Sequence, residues 1–330
     1  MNSEIIVNIP YVHPVLQTPL ELVSEGLKDP KSGSVFPVVR EIPRFCTADN
    51  YSESFGFQWN RFDRTQLDIH SGADQSFQRF YGETDWTSDD LNKCAVLEVG
   101  SGAGRFSEVF LRTTQGVLYS VDYSSAVDAN KRNNGQYGDR LRLVQASIYE
   151  MPFSDNSFDR VFCFGVLQHT PSFEGSVAAL ISKAKPGGEI VVDFYPIKGW
   201  YTKIHSKYML RPLTKRMPRK VLLKIIRLNI SWMILLFDTL CFFRLGILTR
   251  FIPMTDIRSF PSNLTPKQRR EWAVMDTFDA FSPEYDNPQR IEAVARMFAE
   301  RGCVVKFAGL AKYSGGESAV VRAIKEKRAY

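Results

Sequence analysis

Cysteine is scarce and scattered in this chain: Cys46, Cys94, Cys163, Cys241 and Cys303 are odd in number and include no CxxC pair. That pattern excludes a disulfide framework and a zinc knuckle, and it points to a reducing, cytoplasmic setting with no metal site. The N-terminus, MNSEIIVNIP, carries an acid and lacks the basic stretch and long apolar run of a signal peptide, so no leader is expected. Long hydrophobic runs are also missing. The best candidate, ISWMILLFDTLCFFRLGIL (230–248), is broken by Asp238 and Arg244, short of the roughly 20 apolar residues of a clean span, and no transmembrane segment is expected. Acids are absent from residues 198–237, which hold ten Lys or Arg. The remainder has 32 basic against 36 acidic residues, so the protein is a mildly acidic body carrying one basic segment.

What is present is enough for a large core: 44% of the 330 residues are hydrophobic. Residues 91–195 alternate strand and helix signals, with apolar runs at 95–99, 116–121, 141–146, 160–165 and 189–195. Helical spacing joins Phe106, Val109 and Phe110, and again Val177, Leu180, Ile181 and Ala184 before Pro186-Gly187-Gly188. This order predicts a doubly wound α/β fold with a mostly parallel sheet. Asn287-Pro288 opens a final helix up to Gly302, and 303–310 and 317–324 read as two closing strands. Four units follow: an N-terminal extension (1–90), a core (91–195), a basic and apolar helical insertion (196–275), and the closing helix and hairpin (276–330).

The stretch VLEVGSGAG (96–104) sets an acid and three alternate glycines at the end of a buried strand. In open parallel sheets ligands bind at the carboxyl ends of strands, where glycines let a backbone come close. A dinucleotide fingerprint would need a third glycine where Arg105 stands, and that fingerprint is absent.

The pattern acid-x-G-x-G-x-G, with Glu98, Gly100, Ser101, Gly102 and Gly104, resembles motif I of the class I S-adenosylmethionine-dependent methyltransferases. Three further stretches extend the resemblance over roughly 90–195: YSVDYSSA, VQASIYEMPFSDNSFDRVFCFGVLQHT and AKPGGEIVVD. It implies a Rossmann-like, seven-stranded sheet with an antiparallel closing hairpin, a methyltransferase activity, and S-adenosylmethionine as cofactor. It further implies that Asp122 binds the ribose beside Tyr123, that Ser147 and Ile148 meet the adenine, and that Phe164 and Gly165 line the fourth-strand end. Ser147 departs from the family's usual Asp, and its hydroxyl is a weaker acceptor for the adenine amino group. FPVVREIPRF and YSESFGFQWNRF resemble the front end of bacterial methyltransferases associated with glycan and secondary-metabolite pathways, whose zinc-ribbon-like segment is degenerate here, with His13 and no cysteine. Gln58 and Trp59 either close over the cofactor or pack the linker.

Methyl transfer to a hydroxyl needs aligned reactants and proton removal. His169, just past the fourth strand, is a candidate base, and its alternative is a structural histidine. Asp276, Asp279, Tyr285 and Asp286 cluster in MDTFDAFSPEYDNPQ, expected as a loop facing the cleft. The acceptor class that follows is a small molecule or glycan, with anionic and lipid-linked forms included. The insertion reads as a helical lid with its ten basic residues exposed, or as a basic amphipathic surface (198–248) touching the inner face of a membrane. No nucleic-acid module accompanies the charge. A non-catalytic, cofactor-binding regulatory or scaffold protein is the alternative function.

Overall fold

The computed structural model describes residues 8–47 and 50–327, so most of the stretch read against a leader lies outside the described residues. Five parallel strands form the centre of a seven-stranded sheet: β1 (Ala95–Val99), β2 (Val117–Asp122), β3 (Leu141–Gln145), β4 (Phe158–Cys163) and β5 (Ala184–Phe194). The hairpin β6 (Cys303–Tyr313) and β7 (Gly316–Lys325) closes it, β7 pairing antiparallel with β5. The spatial order is β3-β2-β1-β4-β5-β7-β6. Strand order therefore reverses between β1 and β4, the crevice where such sheets take ligands.

Every residue of β1 and β2 is buried, so these strands read as unbroken apolar runs rather than alternating ones. The pleat still sorts their side chains. Ala95, Leu97 and Val99 enter a core with Val177 and Leu180 of helix α5 (Phe173–Lys183) and Val294 and Phe298 of α9 (Ile291–Ala299). Val96 enters the opposite core, with Phe80 of α2 (Gln75–Thr84) and Phe106, Val109 and Phe110 of α3 (Arg105–Thr113). Helix α4 (Val127–Asn134) packs beside α3.

Three local readings differ from the structure. Pro186-Gly187-Gly188 does not separate α5 from its strand. β5 already begins at Ala184, and the three residues form a bulge across which the register with β4 shifts. The segment containing Asp276 and Asp279 is not a loop but the end of helix α8 (Pro266–Phe281), which runs across position 275. Its start is a capping box, Thr265 accepting from Gln268 N–H with Pro266 in the first turn, and Trp272, Val274, Met275 and Phe278 give it a buried face.

The third correction concerns charge. Lys207 and Arg211 turn inward, Lys207 onto Asp286 at 2.9 Å and Arg211 onto the carbonyls of Ala280 and Pro283, so the ten cations do not all share an exposed face. The insertion contributes α6 (Ser206–Thr214) and the 24-residue α7 (Arg219–Phe242). Leu222, Ile226, Ile230, Met233 and Phe237 of α7 join Trp272 and Phe278 of α8, and Phe62 after α1 (Glu53–Arg61), in a separate core above the sheet. His13 holds a turn, its Nδ1 accepting from Val15 and Leu16 N–H.

Candidate active site

A cavity of about 730 Å³ opens at the carboxyl ends of the parallel strands. Its floor is the glycine loop between β1 and α3, and the loop's conformation explains the composition. Gly102 has φ +53°, and a Cβ there would stand 3.0 Å from Trp59 Nε1. Gly104 has φ +85° and would drive a Cβ to 2.2 Å from Asn130 Oδ1 of α4. One glycine serves the cavity, the other the packing of α4 on the loop.

Asp122 ends β2 and holds this loop in place. Its Oδ2 accepts from Gly102 N–H at 2.8 Å, and its Oδ1 from the N–H and hydroxyl of Ser124 at 2.8 and 2.7 Å. Burial raises its pKa above the usual carboxylate value, while these three donors oppose the rise. Gly100, Ser101, Gly102, Tyr123, Ile148, Phe164 and Gly165, expected as cofactor contacts, also line the cavity. Gln58 and Trp59 of α1 line it from above.

Three predicted cofactor contacts are not brought there. Glu98 lies on the same face of β1 as Val96, under α3, where its carboxylate accepts from the hydroxyls of Ser107 and Ser120. Burial pushes its pKa up to about 7. Glu98 therefore ties β1, β2 and α3 together and does not line the cavity. Gly104 sits outside the lining for the packing reason given above. Ser147 turns its hydroxyl back to accept from Tyr149 N–H at 3.2 Å, while its neighbours Ala146 and Ile148 line the wall.

His169 follows β4 in a single helical turn (Leu167–His169) and lines the cavity. Its Nδ1 lies 3.0 Å from the carbonyl of Tyr285, which only a protonated Nδ1 can satisfy. The ring packs between Phe55 and Tyr195, with centroids 5.1 and 5.6 Å away. Nε2 is buried and has no partner among the described residues. Burial pulls the imidazole pKa below 6.5, with Asp279 opposing, so the ring is neutral and Nε2 holds a free lone pair.

Asp276 and Asp279, three apart on α8, both line the cavity, but Asp276 is occupied. Its oxygens accept from Gln66 Nε2 and Trp272 Nε1, each at 3.1 Å, and burial beside Asp279 pushes its pKa up to about 7. Asp279 meets the Tyr195 hydroxyl at a long 3.4 Å.

Sequence reasoning missed Asp193, at the end of β5, which accepts from Gly165 N–H and from Arg79 and so fixes the fourth-strand turn. An acid closing a parallel strand, as in IVVDFY, was the available signal. It also missed Lys207, held over the Tyr195 ring at 4.5 Å on the cavity wall. That residue carried no local signal, because its partner Asp286 lies 79 positions away.

The donor set fits S-adenosylmethionine. The side-chain polar atoms of Ser101, Gln58 and Gln168 are buried without partners among the described residues, and all three residues line the cavity beside Asp122. Buried polar groups in such number call for a ligand with polar groups of its own.

Comparison with known proteins agrees over the core. Residues 97–192 match the protein family described as "Methyltransferase domain". Sterol 24-C-methyltransferase ERG6B of Gibberella zeae is 31% identical over 102 residues, 28% of this chain and 25% of that protein. The ubiquinone/menaquinone biosynthesis C-methyltransferase UbiE of Stutzerimonas stutzeri is 24% identical over 176 residues, 51% of this chain and 68% of that protein. The chain spans about a quarter of the length of the first curated relatives it matches. Among solved structures, a Haloferax volcanii complex of the Trm112 methyltransferase activator with a methyltransferase aligns with TM-score 0.49 at 11% identity, covering 83% of this chain and 98% of that one. Magnesium protoporphyrin IX methyltransferase of Synechocystis PCC 6803 with bound SAM aligns with TM-score 0.47 at 12% identity, covering 85% and 100%. With its strand order, its glycine loop and the acid closing β2, the segment 97–192 is a methyltransferase domain of the class I S-adenosylmethionine-dependent kind.

Proposed function

We propose that the whole chain is a methyltransferase that uses S-adenosylmethionine to methylate a hydroxyl oxygen of a small or glycan-type acceptor. The observation that carries this reading is the buried, unpartnered Nε2 of His169, a residue that lines the same cavity as the Asp122-pinned glycine loop. Asp122 and the 100–102 loop would hold the cofactor's polar edge, with Ile148 and Phe164 offering apolar walls. Bound there, the cofactor supplies an electrophilic methyl group. The chain's own part is to orient the acceptor and take its proton. His169 Nε2 is the acceptor for that proton, its tautomer set by the Tyr285 carbonyl. Lys207 and Asp279, on the same wall, would orient a polar or anionic acceptor. The setting that goes with this reading is cytoplasmic, on the odd and scattered cysteines of the sequence.

Calorimetry with S-adenosylmethionine and S-adenosylhomocysteine, followed by product mass spectrometry on sugar, lipid and small aromatic pools, tests the proposal. Binding of both and oxygen-linked methyl in the product are expected. Methyl on carbon, the chemistry named in the sterol and quinone relatives, would refute the hydroxyl acceptor, and no binding would refute the activity.

A further inference from the structure

Helix α7 is packed on one side only. Leu222, Ile226, Ile230, Met233 and Phe237 face α8, yet the helix carries a second apolar stripe on its opposite side: Val221, Ile225, Leu228, Trp232, Leu235 and Phe242. Their spacing of three, four and, at the end, seven residues keeps them on one face. Leu228, Leu235 and Phe242 are 71%, 68% and 81% exposed, far more than isolated surface hydrophobics require. Past the helix the exposure continues at Phe243, and at Ile247 and Phe251 in the turn Gly246–Phe251 that packs on α7.

Cations border this surface. Lys215 and Arg216 precede α7, and Lys220 and Lys224 lie along one edge of the stripe. All four are exposed and form no ion pair among the described residues. No acid occurs between Lys198 and Phe237 to balance them.

We infer that this face docks on an anionic lipid bilayer, with α7 lying in the plane of the interface. The helix is long and apolar enough to cross a membrane by length and composition, at a mean hydropathy of 1.6. Crossing would strip its inner face from α8 and expose Asp238, which Arg269 holds through two hydrogen bonds of 2.7 Å. A helix with one face in a protein core and the other apolar, with Trp on it and Lys beside it, is built to lie in the headgroup layer. Its 3–4 spacing would also suit a second copy's helix. Such a seam requires opposite charges on its flanks, and here the flank is basic alone until Asp238. Anionic headgroups supply the missing sign.

The docked face adjoins the cavity mouth. Arg250, between Thr249 and the exposed Phe251, lines the cavity, as does the half-exposed Tyr201 next to Trp200, itself 84% exposed. An amphiphile resting in the bilayer would therefore reach the cavity without crossing water. That acceptor class rests on the methyltransferase reading, whereas the docking does not.

The test is flotation of the full chain with phosphatidylcholine vesicles, with and without phosphatidylglycerol. Partition at least about tenfold stronger into the anionic vesicles, weakened by salt, is expected. The paired substitutions Leu228→Glu and Leu235→Glu should abolish flotation while S-adenosylmethionine affinity by calorimetry stays unchanged. Trp232 emission should shift blue on anionic vesicles in the wild type. Equal partition into both vesicles, no flotation, or a double variant that floats like wild type would overturn the inference. So would a wild-type dimer that the double variant converts to monomer without either floating. A protein that floats but binds no S-adenosylmethionine would overturn the proposed activity and leave the docking standing.

Discussion

Replacing Asp122 by Asn keeps the shape of the side chain and removes its charge and one acceptor. The native carboxylate serves three donors: Gly102 N–H on Oδ2, and the N–H and hydroxyl of Ser124 on Oδ1. The asparagine amide can point either way. With its NH2 group toward the loop, Gly102 N–H is stranded; with it toward Ser124, the N–H of Ser124 is stranded, since only the hydroxyl there can turn to accept. Either orientation leaves one main-chain donor buried and unmet, a loss of about 1.5–3 kcal/mol for a bond to a charged acceptor. The expected result is a fall in unfolding free energy of that size by urea denaturation. The loop that should carry the cofactor loosens with it, so S-adenosylmethionine affinity should fall about ten- to hundredfold by calorimetry. If Asp122→Asn keeps both stability and affinity, neither the pinning of the loop nor its role in binding can be right.

His169→Asn should lower kcat by about two to four orders of magnitude with cofactor affinity unchanged, the range for a lost general base. Because burial holds the imidazole pKa below 6.5, the wild-type rate should be flat from neutral pH upward and fall only on acidification below the ordinary histidine range. The same sign applies to stability: a depressed folded-state pKa contributes above the unfolded value and is lost as pH falls through the folded one. An acid limb centred at or above pH 6.5, or one that survives in His169→Asn, would refute the assignment. Gly104→Ala places a methyl group 2.2 Å from Asn130 Oδ1 at a left-handed φ, and should cost about 2–4 kcal/mol in thermal or chemical unfolding. An unchanged melting temperature would show that α4 can move away freely.

The centre of the sheet was legible because β1 and β2 are buried on both faces, and one run ends in the glycine and the other in the acid that turns the chain. Asp122 was legible for the same reason, standing where a strand end meets a loop. Glu98 was not, since a motif names a residue type while the pleat decides its direction, and β1 turns that carboxylate toward α3. Asp276 reads as part of a loop because three acids and a tyrosine cluster there, between the insertion and the last helix. The competing signal, the Thr265-Pro266 start with Gln268, lay ten residues upstream. The inward turn of Lys207 and Arg211 had no local trace, because the atoms that hold them come from positions 280–286.

Gln66 joins distant parts of the chain. Its amide nitrogen reaches Asp276 at 3.1 Å, across 210 positions, and its oxygen accepts from Arg105 Nη1 at 3.2 Å, while Phe57 packs at a tilt against Phe278 with centroids 5.6 Å apart. The cavity is thus stitched from an early segment, a central one and a late one. Contacts so distant in the chain are slow to close. During synthesis the glycine loop and Asp122 emerge well before α8, so the emerging chain has a cofactor floor long before it has a finished wall. The pocket is complete only once residue 276 has met residue 66 and the hairpin residues 310–319 have joined the wall.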